Sequence, residues 1–180
     1  LYTEKTAAKK HFSHLDDTIS YLASSPNYLW AASNNILVRY AFDGSEPEEF
    51  PLAVGKQETT DMLIHAIGVI SDSELWIGTN RGLYLFNAVS GVFTPVPLYH
   101  DDLSNSSSLV IQSLFQDKDK TLWIGTYGSG LIHFTPQQPE NVVHYRRSNE
   151  PFSLSNDIIF FIERDSRGNL WVGTNKGLCR

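Results

Sequence analysis

A single cysteine, Cys179, in 180 residues leaves no partner for an internal disulfide and excludes a cysteine zinc cluster. No apolar run approaches the roughly 18–20 residues that a membrane-spanning helix needs, so this segment is not expected to insert directly into a bilayer. Basic residues are scarce as well. Fourteen Lys and Arg against 20 Asp and Glu give a net charge of −6. A phosphate-tracking surface carries the opposite excess, so no nucleic-acid partner is expected. The chain opens at Leu1 without an initiator Met or a signal peptide, and any targeting segment is expected upstream.

Aromatic residues are plentiful: 4 Trp, 8 Tyr and 10 Phe. The tryptophans are also evenly placed. Trp30, Trp76, Trp123 and Trp171 stand 46, 47 and 48 residues apart, and a fixed period of this size marks a repeat architecture. The flanks repeat too. Leu75-Trp76-Ile77-Gly78-Thr79-Asn80-Arg81-Gly82-Leu83 matches Leu170-Trp171-Val172-Gly173-Thr174-Asn175-Lys176-Gly177-Leu178. The copy around Trp123 keeps Gly125 and adds one residue, whereas Leu29-Trp30-Ala31-Ala32-Ser33-Asn34-Asn35 loses both glycines.

Each copy reads as four short antiparallel strands. An apolar stretch such as Val110–Phe115 runs into a hairpin turn, Asp117–Lys120 or Asp165–Asn169. Leu-Trp-Ile-Gly-Thr forms the second strand, an alternating segment such as Leu83–Phe86 the third, and a polar segment such as Val142–Arg147 the outermost. The fold class is therefore all-β: β-propeller blades of four antiparallel strands with a repeat of about 47 residues. Whole blades are expected at 15–61, 62–107 and 108–154, outer strands of a blade at 1–14, and inner strands at 155–180. The chain would then be a fragment of a larger propeller, unless 1–14 and 155–180 pair into a fourth blade and close a small ring. Trp30, Trp76, Trp123 and Trp171 are read as packing between blades, and Gly78, Gly125 and Gly173 as points of close sheet approach.

The motif Leu-Trp-Ile-Gly-Thr-x-x-Gly-Leu, with Ser153-Leu154-Ser155-Asn156-Asp157-Ile158-Ile159 ahead of it, resembles the two-component regulator propeller repeat. WD and kelch repeats match less well, lacking here their Gly-His and Trp-Asp pair or their double glycine. The resemblance implies a large bacterial sensor with propellers on the periplasmic side. A β-sandwich, a transmembrane helix and a cytoplasmic histidine kinase or diguanylate cyclase output would follow.

No catalytic constellation stands out. His11 and His14 lack a third ligand, Asp101-Asp102 lacks a partner for acid–base work, and the serines of Ser104-Asn105-Ser106-Ser107-Ser108 have no nucleophile elbow. No cofactor and no metal are expected. Ligand contacts are instead expected where two loop sets meet at the channel mouth. The residues chosen there are Asn80, Arg81, Tyr127, Asn156, Asp157, Asn175 and Lys176, with Asn34, Asn35, Asp61, Ser108 and Ser129 beside them. These amides, hydroxyls and cations suit a glycan or another small polar molecule.

The leading reading is a non-catalytic ligand-sensing region, whose partners are that ligand, further blades, downstream signalling domains and a second copy in a homodimer. A protein-interaction scaffold and a propeller lyase are the alternatives. The lyase would need a His or Glu holding a metal at the mouth.

Overall fold

The computed structural model describes residues 19–54, 57–58, 61–98 and 109–180. Expectations placed on 1–14, His11, His14, Asp101-Asp102 and the serine run 104–108 lie outside these residues. No helix occurs among the described residues. The first sheet is a meander of β1 (Tyr21–Ser24), β2 (Tyr28–Ser33), β3 (Ile36–Ala41) and β4 (Glu48–Pro51). A short ribbon, β5 (Ala53–Val54) and β6 (Gln57–Glu58), follows it. The second sheet holds β7 (Ile64–Val69), β8 (Glu74–Thr79), β9 (Gly82–Asn87) and β10 (Val92–Val96). The third holds β11 (Ile111–Gln116), β12 (Leu122–Thr126), β13 (Leu131–Phe134) and β14 (Val142–Tyr145). The fourth has three strands: β15 (Ile159–Arg164), β16 (Leu170–Thr174) and β17 (Gly177–Cys179). All pairings are antiparallel. The innermost strands β1, β7, β11 and β15 lie side by side in succession, so the sheets are blades of a propeller.

Each core lies between two blades, not within one. Trp30 and Leu37 of the first blade share a buried cluster with Ile64, Phe86 and Phe93 of the second. Trp76 and Leu83 of the second share one with Ile111, Ile132 and Phe134 of the third, and Leu131 joins Ile159, Ile162 and Val172 between the third and fourth. The Trp rings of the first two blades meet a Phe of the next blade edge-on. Trp30 and Phe86 are 6.1 Å apart at 79°, and Trp76 and Phe134 are 6.3 Å apart at 86°. Edge-to-face geometry sets the electropositive ring rim against the electron-rich face of its neighbour.

Glycine in the second strand sets how near two blades come. A Cβ added at Gly78 would lie 2.5 Å from Cγ2 of Ile111, and one at Gly125 would lie 2.7 Å from Cγ2 of Ile159. The inner-strand isoleucines of the third and fourth blades thus seat on the glycine of the blade before. In the first blade Ala32 takes the glycine's place and is fully buried in one cluster with Ile64. At Gly173 no following isoleucine arrives among the described residues, and the Phe161 ring lies over the glycine instead.

The hairpin between the two innermost strands is built by its acid. Asp165 accepts hydrogen bonds from the backbone N–H of Arg167 (2.9 Å) and Asn169 (2.8 Å) through one oxygen. Its other oxygen accepts from the Asn169 amide (2.8 Å) and from the indole Nε1 of Trp171 (2.9 Å). The Asn169 side chain first, and then Trp171, hold its carboxyl down to about 2, because each bond favours the charged form. Asp117 holds the same place in the third blade, but its carboxylate reaches across to an ion pair with Arg164 of the fourth.

Two predictions follow from this packing. Gly125→Ala overpacks a seat already filled by the Ile159 side chain and the Ser113 hydroxyl, so urea unfolding will show a loss of about 1–3 kcal/mol. Asp165 has its folded value below the unfolded one, so its contribution is complete above about pH 4 and is lost as pH falls through about 2. The melting temperature of Asp165→Asn should therefore lie below that of the parent at pH 7, with the gap closing as the pH is lowered from 4 towards 2. A gap that is constant with pH would contradict the assignment.

Candidate functional site

The turns joining the second and third strands follow one chemical rule. The Thr79 hydroxyl donates to the carbonyl of Gly82 (2.9 Å) and accepts from the N–H of Arg81 (2.9 Å). Thr126 does the same with Gly130 (2.7 Å) and Ser129 (2.9 Å), and Thr174 with Gly177 (3.0 Å) and Lys176 (3.0 Å). The glycine closing the turn takes a positive φ, +101° at Gly82 and +117° at Gly177, where a side chain is disfavoured. The Gly-Thr-x-x-Gly signature thus folds a tight turn whose middle residues face outward. In the first blade Asn34 carries the positive φ instead, at 51°, a conformation Asn tolerates better than most residues.

Backbone bonds tie these turns to the loops that enter the inner strands. Within a blade, Asn80 N donates to Leu63 O (3.2 Å), Tyr127 N to Val110 O (2.8 Å) and Asn175 N to Ile158 O (3.0 Å). Between blades, Ile64 N donates to Asn34 O (2.8 Å) and Gly82 N to Leu109 O (2.8 Å). The longer turn of the third blade makes two such bonds, from Gly128 N (3.1 Å) and Gly130 N (2.8 Å) to Asp157 O. Both loop sets therefore lie on one face of the array, at the mouth.

The seven mouth residues divide by what their side chains do. Asn80 is engaged with the backbone: its Nδ2 donates to Asp61 O and its Oδ1 accepts from Leu63 N, both at 2.9 Å. The Asn156 carboxamide accepts from Ile158 N (2.9 Å), and the Asp157 carboxylate from Arg147 N (2.6 Å). These three shape loops. Arg81 is paired with Asp61, both well exposed, an arrangement worth at most about 1 kcal/mol and easily exchanged for another anion or hydroxyl. Tyr127 is 57% exposed, and Asn175 and Lys176 are exposed with their backbone N–H groups engaged in the turn.

A cavity of about 460 Å³ lies between the third and fourth blades, over Trp123, Leu131, Tyr145, Leu170, Val172 and Cys179. Phe93 of β10 and Val142 of β14 are buried in the corresponding cores of earlier blades.

One set of residues escapes a reading of the sequence. The pairing of each later inner strand shifts register, between Ile64 and Ala66, Ile111 and Ser113, and Ile159 and Phe161. His65, Gln112 and Phe160 are consequently bulge residues. Their only signal in the sequence is that a variable residue follows the recurring isoleucine.

Comparison with known proteins agrees with this architecture. The model of the two component regulator propeller matches residues 105–128 and 153–176. Histidine kinase P4 of Formosa agariphila is 28% identical over 160 residues, covering 82% of this chain and 12% of that protein. The extracellular domain of BT4673 of B. thetaiotaomicron, assigned as a one component system, superimposes with a TM-score of 0.74 at 23% identity, over 94% of this chain and 22% of that one. That of BT3049, assigned as a hybrid two component system of the same organism, gives 0.65 at 27% identity, over 89% and 20%. The chain thus spans about an eighth of the curated relative and about a fifth of each solved chain. Its third and fourth blades match the two component regulator propeller repeat over those two stretches.

Proposed function

We propose that the chain is a non-catalytic, ligand-sensing propeller region on the extracytoplasmic side of a bacterial signal receptor. The carrying observation is that a histidine kinase is similar along four-fifths of the chain, in blades of the kind found in extracellular domains of such systems. That relative favours a histidine kinase over a diguanylate cyclase as the output. Further blades, downstream signalling domains and a second receptor copy are the partners in this reading.

The mouth supplies the contact groups. Asn80, Asn156 and Asp157 hold the loops still, while Arg81, Tyr127, Asn175 and Lys176 present two cations, an aromatic ring and an amide to solvent. Such a set hydrogen-bonds and stacks on a polar ring compound, and a glycan is the class it fits best. Signalling then requires that the glycan bind one arrangement of blades and neighbouring domains more tightly than another.

Thermal unfolding of the full chain with oligosaccharide digests of pectin, alginate, mannan and xylan tests this. At least one digest should raise the melting temperature by several degrees. The variant Arg81→Ala/Tyr127→Ala/Lys176→Ala should melt as the parent does without digest and lose that rise. No rise with any digest, or a rise that survives in the variant, overturns the mouth as the sensing site.

A further inference from the structure

The three bulges point to a second part of the ligand site, inside the bore. A bulge leaves one residue out of the ladder and re-aims its side chain. The direction at His65 follows from its neighbours. Ile64 and Ile67 enter the core shared with the first blade, Ala66 enters the core shared with the third, and β8 occupies one edge of β7. Both faces and one edge are therefore filled, and the direction left to His65 is the free inner edge. That edge runs along the axis, where β1, β7, β11 and β15 lie side by side.

Burial repeats the pattern from blade to blade. Ile64 and Ala66 are buried while His65 between them is half-buried, and Ile111 and Ser113 are buried around a half-buried Gln112. In the fourth blade Ile159 is fully buried and Phe160 is 51% exposed, but Phe161, in the place of Ala66 and Ser113, is also half exposed. Because the bulge falls at the same register in each of the three later blades, the three side chains form a row at one height of the bore wall. The first blade continues it differently: the Ser20 hydroxyl is turned to the backbone carbonyls of Ala32 (3.1 Å) and Ile64 (3.3 Å).

The chemistry of the row is uniform in one respect, since none of its members carries a fixed charge. Burial pushes the His65 imidazole below its ordinary value, so it is neutral near pH 7 with one ring nitrogen donating and the other accepting. Gln112 adds two donors and an acceptor, and Phe160 adds a flat apolar face. An anion would find no countercharge among these three side chains.

We infer that His65, Gln112 and Phe160 form a binding row for an uncharged sugar ring, with Phe160 under the apolar face of the ring and the amide and imidazole on its hydroxyls. The inference rests on the sensing reading above. It adds where in the propeller the ring sits, and that the sugar at this depth is neutral.

The experiment uses the full chain and four neutral hexasaccharides, of glucose, mannose, xylose and galactose, followed by calorimetry and by the imidazole proton signals of His65. One of them should bind and shift the His65 signals. His65→Ala and Gln112→Ala should each weaken that binding at least tenfold, while Lys118→Ala at the hairpin end leaves it unchanged. If His65→Ala fails to fold, His65→Gln, which keeps a donor and an acceptor, should fold and retain most of the affinity. Binding that survives in both row variants and is lost on Arg81→Ala/Lys176→Ala overturns the row and leaves sensing at the mouth intact. Binding by none of the four hexasaccharides overturns the row whatever the polysaccharide digests show.

Discussion

The seat of an isoleucine on a glycine of the preceding blade is the contact on which the rest of the structure depends. Ile111 rests on Gly78 and Ile159 on Gly125 at distances that leave no room for a β-carbon. Sheets joined this closely exclude water between them, so the aromatic clusters on either side close into continuous cores between the first and second blades and between the second and third. Close approach also brings the mouth turn of one blade within hydrogen-bonding reach of the loop entering the next, as Gly82 with Leu109 and Gly130 with Asp157 show. The inner-strand bulge falls beside this isoleucine in each of the three later blades. One packing contact thereby sets the blade spacing, the mouth loops and the bore-facing residues.

The two ends of the blades are joined by different forces. At the mouth the links are backbone to backbone, indifferent to which side chains the turns carry, and this leaves positions such as Arg81, Tyr127 and Lys176 open to function. At the hairpin end the links are made by side chains. Asn27 donates through its backbone N–H (3.2 Å) and its amide (2.6 Å) to Asp72 of the second blade, and Arg164 pairs with Asp117 of the third. The Asn27 contact holds the Asp72 carboxyl below its usual range, after a first contribution from the Ser25 side chain. Asp117 and Asp165 each stand six residues before a Trp, yet they divide their roles. Asp165 bonds the indole of Trp171 within its own blade, whereas Asp117 reaches the next blade, and Trp123 is stacked on His133 with ring centres 4.1 Å apart.

Much of the fold was legible because a repeat prints the same physical demand several times. The spacing of Trp30, Trp76, Trp123 and Trp171, with the strand and turn pattern around them, points to propeller blades before any coordinates are seen. The site was legible only in part. Position in the turn tells which residues reach the mouth, but not that the Asn80 amide and the Asp157 carboxylate are engaged with backbone N–H groups of other segments. Those bonds depend on loops brought together only by packing. His65, Gln112 and Phe160 are hard to read from the sequence for a related reason. A bulge is a property of the register between two strands, and a variable residue after the recurring isoleucine is its one trace in a single strand. The first copy, without its glycines, becomes intelligible through Ala32, buried in one cluster with Ile64, and the left-handed Asn34.

A double-mutant cycle at the contact between Gly78 and Ile111 tests the central claim most directly. Unfolding free energies would be measured for Gly78→Ala, Ile111→Ala and the pair together. If the isoleucine occupies the space above the glycine, the added methyl should cost far less once the isoleucine is cut back, a coupling of about 1 kcal/mol or more. Strictly additive effects would mean that the two residues do not compete for the same space, and the account of how these blades are spaced would be wrong.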